Sequence, residues 1–387
     1  MTTVPLLRPQ LPDVRALTPW LERIDSNRYY TNFGVLHDEF LAQLLTLQRS
    51  SDNGSVHGVL TSSATAGLEL AVSNLDLPVG SRVAVPAFTF PATATAVQRC
   101  GHVPVPVDID PDSWLLMPSH LPAELVKRHG IRAVLPVAAF GVPQDELAWR
   151  DWSRLHSVPV IVDAAAAIGA QKICEDITFV FSLHATKALS SVEGGLIVTQ
   201  NLELAARLRA MTNFGIGLKV RAMGTNAKLS EYHAAVGLAH AAVWPEQAAA
   251  RMALLKRFQD ALLPASAGTF RFQKSTGLVA PSLICIQLAK PNLRSSLEAA
   301  CALQGIQTRQ WYLPLLQDQP MVQPLEKLFG TPHAQRLSQT LLGLPFFIGM
   351  TDQEFDRVVQ VVLNETQRSA TEYASSPSED IALTNYS

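Results

Sequence analysis

The sequence predicts an α/β fold, with a mostly parallel β-sheet in a large domain and a smaller α+β domain after it. Six short runs rich in branched apolar residues predict the strands: residues 82–86, 103–108, 133–138, 158–163, 178–183 and 195–199. Several of these runs are apolar at consecutive positions, which is typical of strands buried on both faces. Helical segments alternate with the strands, and this rhythm favours a sheet with helices on both sides.

The predicted helices of the large domain cover residues 64–75, 92–100, 120–129 and 145–156. A long helical segment follows at residues 229–263, and Pro245 predicts a break or kink in it. The smaller domain consists of predicted strands at 269–272 and 281–288 and helices at 292–303 and 352–364. We therefore predict domains over residues 1–250 and 251–367. The tail, residues 368–387, is rich in Ser, Thr, Ala and Glu and is predicted to be disordered.

The charge balance and the spacing of the cysteines bear on which partners and which metal sites the sequence predicts. The 387 residues carry 31 Lys and Arg against 33 Asp and Glu, for a formal net charge of −2. The basic residues are scattered, so neither a nucleic acid nor an anionic membrane is predicted as a partner. The four cysteines form no C-x-x-C pair, so the sequence predicts free thiols and no metal site.

Two further features of the composition concern location and assembly. The N-terminus has no basic segment followed by an apolar one, and no apolar stretch reaches about 18 residues, so we expect a cytoplasmic protein. Charged residues make up only 17% of the chain. A low charged fraction is consistent with a surface covered by another subunit, although burial within one chain would look the same.

Lys187 is the first candidate catalytic residue. It lies in the segment FSLHATKALSSVEGG, residues 181–195, a few positions after a predicted buried strand. A lysine amine can form a Schiff base with an aldehyde when its pKa is lowered enough to leave it partly neutral. Taken alone, such a lysine could equally be a solvated surface residue.

Asp163 is the second candidate. It ends an apolar strand in VPVIVDAAAAIGA, residues 158–170. A carboxylate at the end of a buried strand is unfavourable unless a cation meets it. A protonated pyridine nitrogen is such a cation, and ligands bind at the carboxyl ends of parallel strands. The alternative is that Asp163 caps a following helix.

A third feature is the predicted helix N-terminus in TSSATAGLEL, residues 61–70. Its backbone N–H groups and small hydroxyl side chains could hold a phosphate. A simple helix cap uses the same residue types, so both interpretations remain open for this segment.

Together these segments resemble the DegT/DnrJ/EryC1/StrS sugar aminotransferases, within the fold type I enzymes that use pyridoxal 5'-phosphate (PLP). The resemblance runs from Tyr30 to about Val362 and arrives in chain order. It includes YYTNFG, SSATAGLELA, VPAFTFPATATAV, VPVDIDPDSW, VDAAAAIGA, FSLHATKALSSVEGG, TNFGI, GTNAKLSEYHAAVGLA and LGLPFFIGMTDQEFDRVV. One such match would carry little weight, but nine in sequence are specific.

The resemblance implies roles for individual residues. Lys187 would bind the cofactor aldehyde and move the proton, and Asp163 would pair with the pyridine nitrogen. Phe90 would stack on the ring. Ala64, Thr65 and Ser182 would bind the phosphate, and Asn226 would reach the phosphate of a neighbouring subunit. The active enzyme would then be a homodimer with shared active sites.

Some positions depart from the pattern of the resembled family. Ala166 stands where the family has His or Gln, Val162 replaces a Glu, and Ala64 replaces the Gly of the phosphate loop. Leu316 replaces a His. The loss at Ala166 puts a usual cofactor contact in question but leaves the Lys187–Asp163 pair intact.

The expected activity is transfer of an amino group from an amino acid, L-glutamate being the expected donor, to a keto group of a nucleotide-linked deoxysugar. His184, Arg309 and Tyr312 are candidate substrate residues, although His184 could be a packing residue and Arg309 a surface residue. Two alternatives remain open. One is another PLP reaction, such as a dehydration or amination of a non-sugar ketone, and the other is a homologue without turnover. Retention of Lys187 argues against dehydration, since the deoxygenating relatives carry His there.

Overall fold

The computed structural model describes residues 2–218, 223–266, 268–275, 279–320, 322 and 325–374. Its helices are α1 (Val14–Asn27), α2 (Val35–Thr46), α3 (Ala64–Ser73), α4 (Pro91–Arg99), α5 (Ala123–His129), α6 (Glu146–His156), α7 (Leu202–Met211), α8 (Glu231–Ala242), α9 (Trp244–Leu262), α10 (Pro291–Leu303), α11 (Pro332–Thr340) and α12 (Asp352–Ala374). Its strands are β1 (His57–Thr61), β2 (Arg82–Pro86), β3 (Val103–Val107), β4 (Ile131–Val134), β5 (Ile161–Asp163), β6 (Thr178–Ser182), β7 (Gly195–Thr199), β8 (Phe270–Phe272), β9 (Ile284–Leu288) and β10 (Leu341–Leu344).

The first seven strands form one sheet in the order β1-β7-β6-β5-β4-β2-β3. Ladders join β1, β7, β6 and β5, and separately β4, β2 and β3. Parallel bridges from Val134 to Val160 and from Val137 to Asp163 connect the two groups. Strand β7 runs antiparallel to β1 and β6, whereas the other neighbouring pairs are parallel. The predicted α/β fold with a mostly parallel sheet is therefore confirmed.

Both faces of this sheet are buried. In β6, Phe179 and Phe181 pack into one core layer, and Val180 between them packs into the other. The split follows from the geometry of a strand, whose successive side chains point to opposite faces. It explains why these segments are apolar at consecutive positions, as the sequence indicated.

The smaller layer is an antiparallel sheet in the order β10-β9-β8. Helices α9, α10 and α12 cover it with Phe258, Leu297 and Phe355, which are 0 to 5% exposed. Val4 pairs with Ile306, so the start of the chain also joins this core. The domain boundaries after residues 250 and 367 remain predictions.

Several predicted elements differ from the structure. The strand predicted at 133–138 lies instead at Ile131–Val134, because Pro136 has no N–H to donate and the chain then turns at Ala139–Gly141. The predicted long helix 229–263 breaks at Val243, two residues before Pro245. Proline is favoured in the first turn of a helix, so it marks the start of α9.

Helix α12 extends to Ala374, beyond its predicted end at residue 364 and into the tail that we predicted to be disordered. Residues 375–387 of that tail lie outside the described residues. Strands β1 and β10 and helices α1, α2, α7 and α11 were not predicted. No helix among the described residues is long and apolar enough to cross a membrane.

Candidate active site

Asp163 ends β5 in the middle of the large sheet, and only 5% of the residue is exposed. Its Oδ2 accepts a hydrogen bond from the Thr93 hydroxyl at 2.8 Å, and its Oδ1 accepts one from the Ala165 amide at 3.2 Å. The alanines that follow form turns and not a helix. The alternative role of Asp163, as a helix cap, therefore has no helix to cap.

The electrostatic state of Asp163 reflects its burial. Loss of hydration raises the pKa of this carboxyl group above its usual value, whereas the bonds from Thr93 and Ala165 and the charge of Lys187 oppose the rise. A buried carboxylate in this state is stabilised by a bound cation.

Lys187 lies in the loop between β6 and β7, and backbone hydrogen bonds within the loop hold its two arms together. Leu183 and Gly194 bond through their backbones at 2.9 Å, and Ala185 and Val192 bond at 2.8 Å. The amine of Lys187 is partly buried. Burial lowers the pKa of Lys187, and the nearby charge of Asp163 opposes that change. Such an amine is closer to its neutral, nucleophilic form than a solvated one.

The N-terminus of α3 is arranged to receive an anion. The Ser63 hydroxyl caps the helix by accepting the Ala66 amide at 3.1 Å. The amides of Ala64 and Thr65 precede Ala66, in the first turn, where N–H groups have no intrahelical acceptor. Ser63 is therefore the cap, and the two predicted phosphate-binding residues keep their amides for a ligand.

Ser182 lies at the same edge of the sheet. It pairs with Gly195 of β7, which in turn pairs with Thr61 of β1, just before α3. Ser182 is 6% exposed, and its hydroxyl accepts the His184 amide at 3.3 Å. Strand pairing thus brings Ser182 into the same row of the sheet as Thr61, which lies just before α3.

Aromatic residues border the site. Phe90 directly precedes α4 and is 55% exposed, and its ring meets the edge of Tyr312 at 6.4 Å between centroids. Tyr312 stacks on Phe140 at 5.8 Å. Burial raises the pKa of Tyr312, with smaller contributions from Cys285 and Asp163. Although far from Asp163 in sequence, Tyr312 therefore lies within its electrostatic reach.

The other predicted residues lie around this centre. The Arg309 guanidinium covers the Trp311 ring at 4.1 Å and is exposed. His184 is half-buried, with its Nδ1 2.9 Å from the Thr186 hydroxyl. Asn226 is exposed, and its Oδ1 accepts from Lys228 Nζ at 2.8 Å.

The positions that depart from the resembled pattern are explained in part by packing. Leu316 is fully buried in the core layer that also contains Val85 and Leu135. Ala166 is partly buried, and its carbonyl lies 2.7 Å from where a Cβ on Gly141 would stand. The structure offers no explanation for Val162 beyond its complete burial in β5.

Three contributors were missed in the sequence: Thr93, Ser63 and Lys228. Thr93 lies in VPAFTFPATATAV at a position where the resembled pattern carries Ser or Thr, and this signal was available. Ser63 could have been recognised as a helix cap from its place before Ala64. Lys228 lies in GTNAKLSEYHAAVGLA at a position where the resembled pattern carries Arg or Lys, but its pairing with two asparagines depends on the fold.

Comparison with known proteins identifies the family of this chain. Residues 21–363 match the DegT/DnrJ/EryC1/StrS aminotransferase family. The chain belongs to this family. This protein is therefore an enzyme: it is a PLP-dependent aminotransferase of fold type I, as the resemblance implied.

Solved structures of other proteins support the assignment. The chain is 29% identical to DesI, solved in the presence of its TDP-sugar product, with a TM-score of 0.82 over 97% of this chain and 95% of DesI. It is 26% identical to a protein from Bacillus cereus ATCC 10987 designated a PLP-dependent aminotransferase, with a TM-score of 0.85 over 93% and 100% of the two chains. NtdA from Bacillus subtilis, with the cofactor PMP bound, is 25% identical, with a TM-score of 0.79 over 92% and 82%.

The residues of this aminotransferase fit PLP. Asp163 is a buried carboxylate without a hydrogen-bonded cation among its described partners, as a pyridinium nitrogen requires. Lys187 supplies an amine of lowered pKa beside it. The first turn of α3 offers amides to a phosphate, and Phe90 offers an exposed aromatic face.

Gly195 allows the phosphate-binding segment to approach β7. A Cβ on this glycine would lie 2.5 Å from Thr61 Oγ1 and 2.6 Å from the backbone carbonyl of Ser63. We expect Gly195→Ala to displace the start of α3 and to weaken PLP binding at least about tenfold, corresponding to about 1.4 kcal/mol. Fluorescence titration of the apoenzyme with PLP measures this effect.

Gly330→Ala is the matched control for this prediction. Its nearest contact would be Pro332 at 3.8 Å, and the backbone of Gly330 is not in the left-handed region. The control should bind PLP as the wild type does. Equal PLP affinity in both variants would show that the close approach at Gly195 is unimportant for the cofactor.

Proposed function

We propose that this aminotransferase moves an amino group from L-glutamate to a keto group of a nucleotide-linked deoxysugar. The observation that carries the proposal is the Lys187 amine, whose pKa burial lowers, next to the buried carboxylate of Asp163. The presence of a TDP-sugar product in the DesI structure supports a nucleotide sugar as the acceptor.

When bound, PLP supplies an electron-withdrawing ring that stabilises negative charge at the carbon that loses its proton. Lys187 performs the proton transfer. Its Nζ would take the proton from the Cα of the donor amino acid and, in the second half of the reaction, would deliver a proton to the former keto carbon of the sugar. Because burial lowers the pKa of Lys187, the neutral amine that accepts a proton is favoured over what a solvated lysine would show.

Asp163 has a different function, which is to hold a proton on the pyridine nitrogen. Thr93 and Ala165 fix its two carboxylate oxygens, so the charge is oriented before any substrate arrives. Phe90 would cover one face of the ring, and the amides of Ala64 and Thr65 would bind the phosphate. Ser182 adds a hydroxyl at the same edge of the sheet.

Substrate binding is assigned to residues near Tyr312. The exposed guanidinium of Arg309, supported by the Trp311 ring, can bind the carboxylate of the donor or a phosphate of the sugar nucleotide. Tyr312 and His184 would contact the polar groups of the sugar.

A substrate panel tests the proposal. The holoenzyme is mixed with glutamate and then with dTDP-, UDP- and GDP-linked 4-keto and 3-keto sugars, and the amino sugar is detected by mass spectrometry. Glutamate alone should change the visible absorption of the bound cofactor. A spectral change without any amino sugar, together with amination of a non-sugar ketone, would favour the first alternative. No spectral change with any amino acid would favour a homologue without turnover.

We further propose that the enzyme is a cytoplasmic homodimer with shared active sites. Phe214, Ile216 and Met223 are 59 to 79% exposed, and the rings of Tyr30 and Tyr232, each 47% exposed, stack with their centroids 6.3 Å apart. Large exposed apolar residues near a functional segment are typical of an interface. A second copy of this chain is the occupant proposed for this surface, because Asn226 lies between Met223 and Tyr232 in sequence.

Asn226 is oriented for such a role. Lys228 Nζ bonds to the carboxamide oxygens of both Asn213 and Asn226, at 2.7 and 2.8 Å. With its oxygen occupied, Asn226 keeps its NH₂ group for an acceptor such as the phosphate of the partner subunit. Substitution by Asp would remove that donor and bring a second anion to the phosphate.

A mixing experiment tests the shared site. Lys187→Ala and Asn226→Asp subunits are unfolded, mixed and refolded. One site of each heterodimer then carries both defects and the other carries neither. For random pairing in a two-fold dimer, about a quarter of all sites should be intact, and activity should rise to that level. If heterodimers form and Asn226→Asp alone is impaired, mixtures no more active than either parent would show that Asn226 serves its own subunit.

A further inference from the structure

We propose that Thr89 and Thr93 form an oriented chain of two hydroxyl groups that keeps the Asp163 carboxylate charged and aimed at the cofactor ring. Both would be positioning residues, since they act on the cofactor only through Asp163. The inference rests on the proposed pairing of Asp163 with the pyridine nitrogen, and it adds the residues that set the strength of that pairing.

The hydroxyl chain is unbroken, and its residues are buried away from water. The Thr93 hydroxyl lies 2.8 Å from Asp163 Oδ2, and the Thr89 hydroxyl lies 3.2 Å from that of Thr93. The exposed fractions of Thr89, Thr93 and Asp163 are 1%, 0% and 5%. Water therefore does not replace either bond without a rearrangement.

Chemistry fixes the direction of the chain. An ionised carboxylate only accepts, so Thr93 must donate its single hydroxyl proton to Asp163. The hydroxyl oxygen of Thr93 can then accept a hydrogen bond from the Thr89 hydroxyl. The order is Thr89 to Thr93 to Asp163, and each donated bond strengthens the next by polarising the hydroxyl.

Local structure holds these groups together with Phe90. Pro91 begins α4, Phe90 is its N-cap, and Thr93 is in the first turn, where its amide approaches the Phe90 carbonyl at 3.4 Å. One helical turn thus presents the ring-stacking residue and the donor to Asp163 at the same time. A shift of this turn would affect both contacts to the cofactor.

The energetic role of Thr93 follows from the state of Asp163. Burial favours the neutral acid, and the Thr93 bond is the largest of the effects that favour the carboxylate, ahead of Ala165 and Lys187. The titratable groups that face Asp163 among the described residues are Lys187 and Tyr312. Burial favours the neutral form of both, so neither replaces Thr93 as a donor fixed on Oδ2.

The test compares Thr93→Val, which keeps the shape and removes the hydroxyl, with Thr93→Ser, which restores it. With glutamate and the PLP-loaded enzyme, Thr93→Val should slow the first half-reaction about tenfold, as expected for loss of a hydrogen bond to a charged group. Thr93→Ser should recover most of the rate, and Thr89→Val should lie between the two.

A cofactor analogue separates positioning from folding. In 1-deaza-PLP a carbon replaces the ring nitrogen, so Asp163 has no proton to hold. The ratio of the wild-type rate to the Thr93→Val rate should then fall to about one. An equal loss with PLP and with the analogue would overturn the proposal, because Thr93 would then be merely structural.

The apoenzyme gives a readout that does not depend on turnover. Burial raises the pKa of Asp163 in the folded apoenzyme. The contribution of Asp163 to the stability of the apoenzyme is therefore present at low pH and is lost as pH rises through the raised pKa. Thr93→Val should move this loss to higher pH, and Asp163→Asn should remove it. Unchanged thermal melting profiles would contradict the hydroxyl chain. If the wild type aminated no sugar, only the proposed function would fail, because the melting profiles would still report on Thr93.

Discussion

Lys187→Ala is expected to abolish transamination while leaving the fold intact. Proton transfer by a positioned side chain contributes about 10² to 10⁴ in rate, and the lysine is also proposed to bind the cofactor covalently, so we expect a loss of at least about 10³-fold. The loop around Lys187 is held by backbone bonds such as that between Leu183 and Gly194, and alanine removes none of them.

The measurement is the rate of the glutamate half-reaction, with circular dichroism and thermal melting to confirm folding. Lys127→Ala is a suitable control, because Lys127 is exposed on α5, outside the site. The control should keep wild-type activity. Near-wild-type turnover by cleanly purified Lys187→Ala protein would falsify the assigned role.

Asp163→Asn is expected to cause the second large loss. A neutral amide cannot hold a proton on the pyridine nitrogen, so the ring becomes a weaker acceptor of negative charge and PLP binds less tightly. We expect the rate to fall by more than about tenfold, corresponding to more than about 1.4 kcal/mol of barrier. Activity above about a tenth of the wild-type value, at saturating PLP, would show that Asp163 has only a local structural role.

The same substitution should stabilise the apoenzyme. Because the folded-state pKa of Asp163 is raised, the unfolded chain ionises this group at lower pH than the folded protein does. Folding is therefore penalised increasingly as pH rises from the usual Asp value through the raised one. Asp163→Asn should melt a few degrees higher than the wild-type apoenzyme, by a margin that widens as pH rises above the usual Asp pKa of about 4. A margin that stays constant from that pH upward would mean that burial does not raise the pKa of Asp163.

Much of the fold could be predicted because the information was local. The strands β2, β6 and β7 are continuous apolar runs, and such runs identify buried strands whatever their partners. Boundaries were less certain where backbone chemistry competed with hydrophobicity, as at Pro136, which ends β4 early. Strand β1 was missed because its half-buried segment becomes a strand only by pairing with β7, which lies far along the chain.

Local sequence was enough to predict the candidate chemical groups of this enzyme: Lys187 after β6, Asp163 at the end of β5, and a helix N-terminus that can hold a phosphate. Each is recognisable because the residue type and its neighbours define what it can do. Other contacts depended on the tertiary structure: Thr93 donates a hydrogen bond to Asp163, Ser63 packs closely against Gly195, and Tyr312 lies near Asp163. These contacts join residues from different elements, and they depend on strand register and helix packing, which local sequence patterns do not encode.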